Sequence, residues 1–173
     1  MLEYLQLQFR LIATKGLELP AFKGPTLRGA FGHALRKVTC PYPHRVAGDC
    51  ALGSNCKFTQ LFEPQGTLDA ERFSKHDTRL PNPFVLIPPN DKSTQYSMGN
   101  ELVVGFTLFG RAIGEVASVL MAFESLARFG LGRDKTSFKL SPVEYFQKNH
   151  WNRLERGAAL PTCSGSLFES KIY

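Results

Sequence analysis

Residues 101–130, ELVVGFTLFGRAIGEVASVLMAFESLARFG, contain a change of period that decides the fold. Leu102, Val104, Phe106 and Leu108 occupy alternate positions, the pattern of a strand with one buried face. From Ile113 onward the spacing turns helical. Ile113, Val116, Ala117, Leu120, Phe123 and Ala127 form one apolar stripe, and Gly130 is placed to stop the helix. Gly105, inside the strand, marks a bulge or a close backbone approach.

Upstream, PFVLIPP (83–89) is a short apolar run bounded by prolines, the reading of an edge strand. Before it, residues 39–82 are rich in Cys, Pro, Gly, Asp and Asn and read as a long insertion, with a short turn in KFTQLFEP (57–64). At the start of the chain Leu5, Leu7, Phe9, Leu11 and Ala13 alternate with Gln6, Gln8, Arg10 and Ile12, which predicts a first strand. The connection KGLELPAFKGP (15–25) leads to a helix with Pro25 in its first turn, where the missing donor is harmless. Leu27, Ala30, Phe31, Ala34, Leu35 and Val38 form its apolar stripe, and Gly29, His33, Arg36 and Lys37 lie opposite. Downstream of residue 130, KTSFKLSPVEYF (135–146) reads as a last strand, with Phe138 and Leu140 on one side.

The order strand, helix, strand, strand, helix, strand predicts an α+β, ferredoxin-like (RRM-like) βαββαβ unit with a Cys-containing insertion after the first helix. Such a unit has an antiparallel sheet with two helices on one face. Residues 1–145 form this domain, with the insertion at about 39–82. Residues 146–173 mix Gly, Ser, Pro, Asn and charge and read as a linker or the start of a second domain, with GSLFESKIY (165–173) as one more short strand.

Composition narrows the function only a little. Lys and Arg outnumber Asp and Glu by 21 to 15, a net charge of +6, which points toward a polyanion such as nucleic acid. Many basic proteins bind nothing anionic, so charge alone decides nothing. The 14 phenylalanines suit core packing or stacking on bases. The N-terminus MLEYLQLQFRLIAT lacks the features of a signal peptide, and no apolar run approaches the roughly 20 residues needed to cross a bilayer. A cytoplasmic location is expected. There the four cysteines are reduced thiols or metal ligands rather than a disulfide framework.

The segment LPAFKGPTLRGAFGHALRK (19–37) resembles the stretch of RAMP-superfamily CRISPR proteins in which a Pro/Gly-containing loop enters the first helix. Three further pieces follow in the order seen in the precursor-CRISPR-RNA-processing endoribonucleases of that superfamily. They are QLFEP (60–64), PNPFVLIPP (81–89), and ELVVGFTLFGRAI (101–113) followed by ARFGLGR (127–133). The resemblance covers residues 1 to about 145. It implies an endoribonuclease that cuts the repeat of CRISPR RNA with no cofactor: the ribose 2′-OH attacks the adjacent phosphate and leaves a 2′,3′-cyclic phosphate and a 5′-OH. That chemistry needs a base, an acid and cations around the phosphorane. The alternative is a non-catalytic CRISPR RNA-binding subunit of a ribonucleoprotein complex. A third reading is an interaction domain whose sheet face pairs with a protein. Processing enzymes of this type resemble two such domains in tandem, and this chain has room for one. Other CRISPR-associated subunits or a second RAMP domain are therefore expected partners, and a membrane is not.

On this resemblance His33 matches the family's helix-one histidine, a side chain that titrates near neutral pH. Arg36 and Lys37, three and four residues on, flank it. His33 and Lys37 are the candidate catalytic pair. Lys23, Arg28 and Arg36 are candidate RNA contacts, and the same side chains also read as an ordinary solvated basic face. Gly130, Gly132 and Arg133 resemble a family loop whose backbone donors approach phosphates, or else form a helix stop and a turn. Cys40, His44, Cys50 and Cys56 are four soft ligands able to hold a structural Zn²⁺, although their spacing is not that of a standard zinc finger and free thiols are the alternative. Phe146 and Trp151 either close the back of the core or pack on a partner.

Overall fold

The computed structural model describes residues 2–42, 52, 55–64, 81–155 and 163–164. In chain order its elements are β1 (Glu3–Ala13), β2 (Leu17–Glu18), α1 (Gly24–Thr39), α2 (Lys57–Phe62), β3 (Phe84–Ile87), β4 (Gln95–Tyr96), β5 (Glu101–Phe109), α3 (Val116–Phe129), β6 (Phe138–Leu140), β7 (Glu144–Gln147), β8 (His150–Arg153) and β9 (Cys163–Ser164). A 3-10 turn, Gly110–Glu115, joins β5 to α3.

β1 is the spine. Leu5, Leu7, Phe9, Leu11 and Ala13 are buried and the side chains between them are not, because successive residues of a strand point to opposite faces. β5 pairs with β1 in antiparallel register from Tyr4↔Phe109 to Ile12↔Glu101. β3 pairs with the far side of β5, also antiparallel, and β6, β7 and β9 pair with the other side of β1. The sheet order β3-β5-β1-β7-β8 is the split βαβ arrangement of a ferredoxin-like fold. A separate ribbon, β2 with β4, closes one end.

α1 and α3 pack on each other and cover one face of the sheet. Their seam is aromatic. Phe9 stacks on Phe123 with ring centroids 3.6 Å apart, and Phe106 lies 4.9 Å from both Phe31 and Phe84. Burying each ring contributes about 1.5–3 kcal/mol, so much of the phenylalanine content serves the core.

In five places the structure departs from the sequence reading or narrows it. The last strand is broken at Pro142: β6 pairs with residues 11–13 of β1 and β7 with residues 7–8, while Ser141 N–H donates to Arg10 O at 3.0 Å to bridge the gap. The sheet continues past residue 145, since β7 and β8 form a hairpin and β9 pairs with Glu3 and Tyr4. α3 begins at Val116 rather than in the preceding turn, and its buried side includes Val119, Ala122 and Leu126 while Ala117 is exposed. Contact with α1 widens the buried arc beyond a single stripe. Gly105 sits in regular register between Gln8 and Ile87 with no bulge; a Cβ there would lie 3.1 Å from Ile87 Cβ, so it marks a close approach. In the insertion, KFTQLF forms α2 rather than a bare turn.

Candidate nucleic-acid interface

α1 begins at Gly24 with Pro25 in its first turn and ends with Arg36 and Lys37 in its last, where cations meet the negative end of the helix dipole. Leu27, Phe31, Ala34 and Leu35 face the core, which turns Arg28, Gly29, His33 and Lys37 outward. His33 is exposed, and no hydrogen bond or ion pair to it occurs among the described residues.

Aromatic rings hold the cations of this face. The Arg28 guanidinium lies 4.6 Å from the centroid of Phe62, and that of Arg36 lies 5.5 Å from Phe58, both rings belonging to α2. Lys37 Nζ sits 3.3 Å from the ring centroid of Phe129, the last residue of α3. The exposed Arg28 guanidinium, seated flat on a ring, presents a planar N–H edge of the geometry that suits phosphate, whereas Arg36 is half-buried with its Nε enclosed. α2 reaches this position because Gly32 has no side chain: a Cβ there would lie 2.5 Å from Phe62 Cζ. Neither the two rings of α2 nor the role of Gly32 was recognisable in the sequence, where KFTQLF reads only as part of a long insertion.

Lys23 is placed differently from its expected position in the exposed patch. Its side chain is fully buried, and Nζ donates to the carbonyls of Ala21 and Asp91 and to Asp91 Oδ1 at 3.3, 3.0 and 3.2 Å. Tyr96 Oη donates to the same carboxylate at 2.7 Å. Burial by itself lowers the Lys23 pKa, but hydrogen bonds with Tyr96 and Asp91 outweigh it and raise the value above the ordinary lysine range. The Tyr96 hydrogen bond chiefly, with Lys23 and the Ser93 N–H, holds Asp91 below the usual carboxylate value despite partial burial. Lys23 therefore ties the start of α1 to the segment after β3.

Gly130 caps α3 with φ +86, and a Cβ there would collide with the Lys135 carbonyl. The amides of Gly130, Leu131, Lys135 and Thr136 are all bonded within the helix end and the turn. Gly132 packs on the Glu18 carbonyl, and Arg133 is exposed. The loop adjoins the basic helix through the contact of Lys37 with Phe129.

Of the four candidate metal ligands, Cys56 is buried at the start of α2 and Cys40 is partly exposed just past α1. His44 and Cys50 lie outside the described residues. Among the described residues, no group of three or more His, Cys, Asp or Glu side chains is arranged to hold a metal. No helix among them is long and apolar enough to cross a membrane.

The chain is similar in fold to a chain in the Csm3–Csm4 subcomplex of a type III-A CRISPR-Cas interference complex. The TM-score is 0.54 at 14% identity, over 83% of this chain and 78% of that one. A chain of a Cas6 product complex aligns with a TM-score of 0.40 and 18% identity, over 81% of this chain and 38% of that one. No curated protein sequence matches significantly. At such identities the likeness to solved structures is one of fold. Family membership rests on the sequence itself: residues 2–169 match the AF_1859_N family, an N-terminal domain, and the chain belongs to it.

Proposed function

We propose that this chain is a RAMP-type protein that binds CRISPR RNA and grips its phosphate backbone along α1. The observation that carries the reading is the outward face of that helix, where exposed Arg28 and Lys37, with half-buried Arg36 at its margin, are each seated on an aromatic ring beside an exposed His33. Cations held on rings lose less freedom when they meet phosphate than free side chains do. The fold shared with a chain of a CRISPR interference complex supports the class of partner.

A second reading, metal-independent cleavage, is favoured by one observation, the exposure of His33. There the imidazole would serve as general acid or base at the ribose 2′-OH or the leaving 5′-oxygen, and Lys37 would stabilise charge on the phosphorane. Against it, no described residue hydrogen-bonds His33 to orient the ring. Binding is therefore the better supported function. The test incubates repeat RNA with the intact chain and with His33→Ala, with chelator present. Binding by both proteins with no cut by either agrees with the proposal. A chelator-resistant cut that ends in a cyclic phosphate and disappears in His33→Ala would replace it with the nuclease.

A further inference from the structure

The face of the sheet turned away from α1 and α3 forms the floor of an open groove of about 1330 Å³. On it Gln6 and Gln8, the half-exposed residues between the buried leucines and phenylalanine of β1, point outward. The sheet order puts β8 at one edge and β3 at the other, roughly 19 Å apart at the usual strand spacing. Each side carries an exposed aromatic ring.

At the β8 edge, Lys148 and Asn149 both have positive φ, 51 and 68, and make the tight two-residue turn of a hairpin. That turn sets Trp151 directly opposite Phe146, with ring centroids 5.3 Å apart, and leaves Trp151 43% exposed. Toward the other edge Phe22 is 69% exposed, and its neighbour Lys23 is anchored to Asp91 in the segment that follows β3. The lining sets the carboxamides of Gln6, Gln8 and Asn149 among apolar groups such as Ile87, Pro88 and Val103. A carboxamide offers both a donor and an acceptor, which matches the edge of a nucleobase, while an indole face offers a stacking surface to any base. An apolar protein surface laid here would instead bury those amides without partners.

We propose that this groove is a base-stacking site for single-stranded RNA, with Trp151 as its principal platform and Phe22 as a second. The inference rests on the RNA-binding reading above, but it assigns a different surface, across the sheet from α1, and a different kind of contact. The charged side chains of the lining, Asp91, Lys92 and Glu101, carry no excess of positive charge, so stacking rather than phosphate contact is what the groove offers. Its contribution to affinity is therefore insensitive to salt, whereas that of α1 is not.

Trp151 is the chain's one tryptophan, so its emission reports on this site directly. The intact chain is titrated with short single-stranded oligouridylate and oligoadenylate, following tryptophan emission and the anisotropy of labelled RNA in parallel. The expected result is saturable quenching with the same midpoint as the anisotropy change. Trp151→Ala should weaken binding about five-fold or more with an unchanged salt slope, and Trp151→Phe should retain most of the affinity. Phe22→Ala, on a separate segment, should act in the same direction, and circular dichroism shows whether each variant is folded. RNA binding with unchanged emission and wild-type affinity in folded Trp151→Ala would overturn the groove and leave the α1 reading standing. Absence of RNA binding by either readout would defeat both. A blue shift that grows with protein concentration in the absence of RNA would overturn the groove in favour of a protein contact.

Discussion

Asp91 accepts hydrogen bonds from Lys23 Nζ, the Ser93 N–H and Tyr96 Oη at 3.2, 3.0 and 2.7 Å. Its side chain is 44% exposed, whereas that of Lys23 is wholly buried, so the lysine depends on the pair more than the aspartate does. Because the Asp91 pKa is lowered on folding, its stabilising contribution is complete above the ordinary carboxylate value and is lost as pH falls through the lower folded one. Because the Lys23 pKa is raised, its contribution is complete below the ordinary lysine value and is lost as pH rises through the higher one. Asp91→Asn should therefore cost about 1–2 kcal/mol at neutral pH, discounted for the exposure of the carboxylate. The gap to wild type should close as the pH falls below about 4, which urea unfolding at several pH values checks. A gap independent of pH would mean that the carboxylate charge is not what matters. None of this was legible in the sequence, because the partners stand 68 residues apart and Lys23 reads there as one more cation beside a helix start.

Among the elements, β1, β5 and α1 were legible because each has one buried face and therefore a clean period. The β7–β8 hairpin was not. Its turn uses Lys148 and Asn149 at positive φ, and only asparagine signals that conformation. The phase of α3 was read too narrowly because the helix packs against α1 as well as against the sheet. The packing of α2 on α1 gives a test in which two effects have opposite signs. Helix propensity alone makes any exposed glycine-to-alanine change in α1 stabilising by up to about 1 kcal/mol. Gly29→Ala should show that gain, because nothing lies within 4 Å of its Cβ position. Gly32→Ala should instead destabilise by about 1–3 kcal/mol, since Phe62 is held by its contacts with Phe58, Phe84 and Arg28 and cannot easily move aside. Equilibrium unfolding of the two variants checks the signs, and equal stabilisation by both would show that α2 does not press on α1.

For the whole molecule, the sheet divides the surface into a helical side that carries seated cations and an open side that carries aromatic rings and carboxamides. The order of elements predicted the ferredoxin-like sheet, and the exposed face of α1 was legible from its spacing. The open groove was not, because it is assembled from residues of five separated segments. The most direct test of the central claim, that α1 grips RNA through its phosphates, is the salt dependence of repeat-RNA binding. It compares the intact chain with a variant carrying Arg28→Gln, Arg36→Gln and Lys37→Gln. Each phosphate contact on a single strand contributes about 0.7 to the slope of log K against log salt, so the slope of the variant should be shallower by about 2 and its affinity lower across the salt range. Equal slopes and equal affinities for the two proteins would contradict the account and move RNA binding, if it occurs, away from α1.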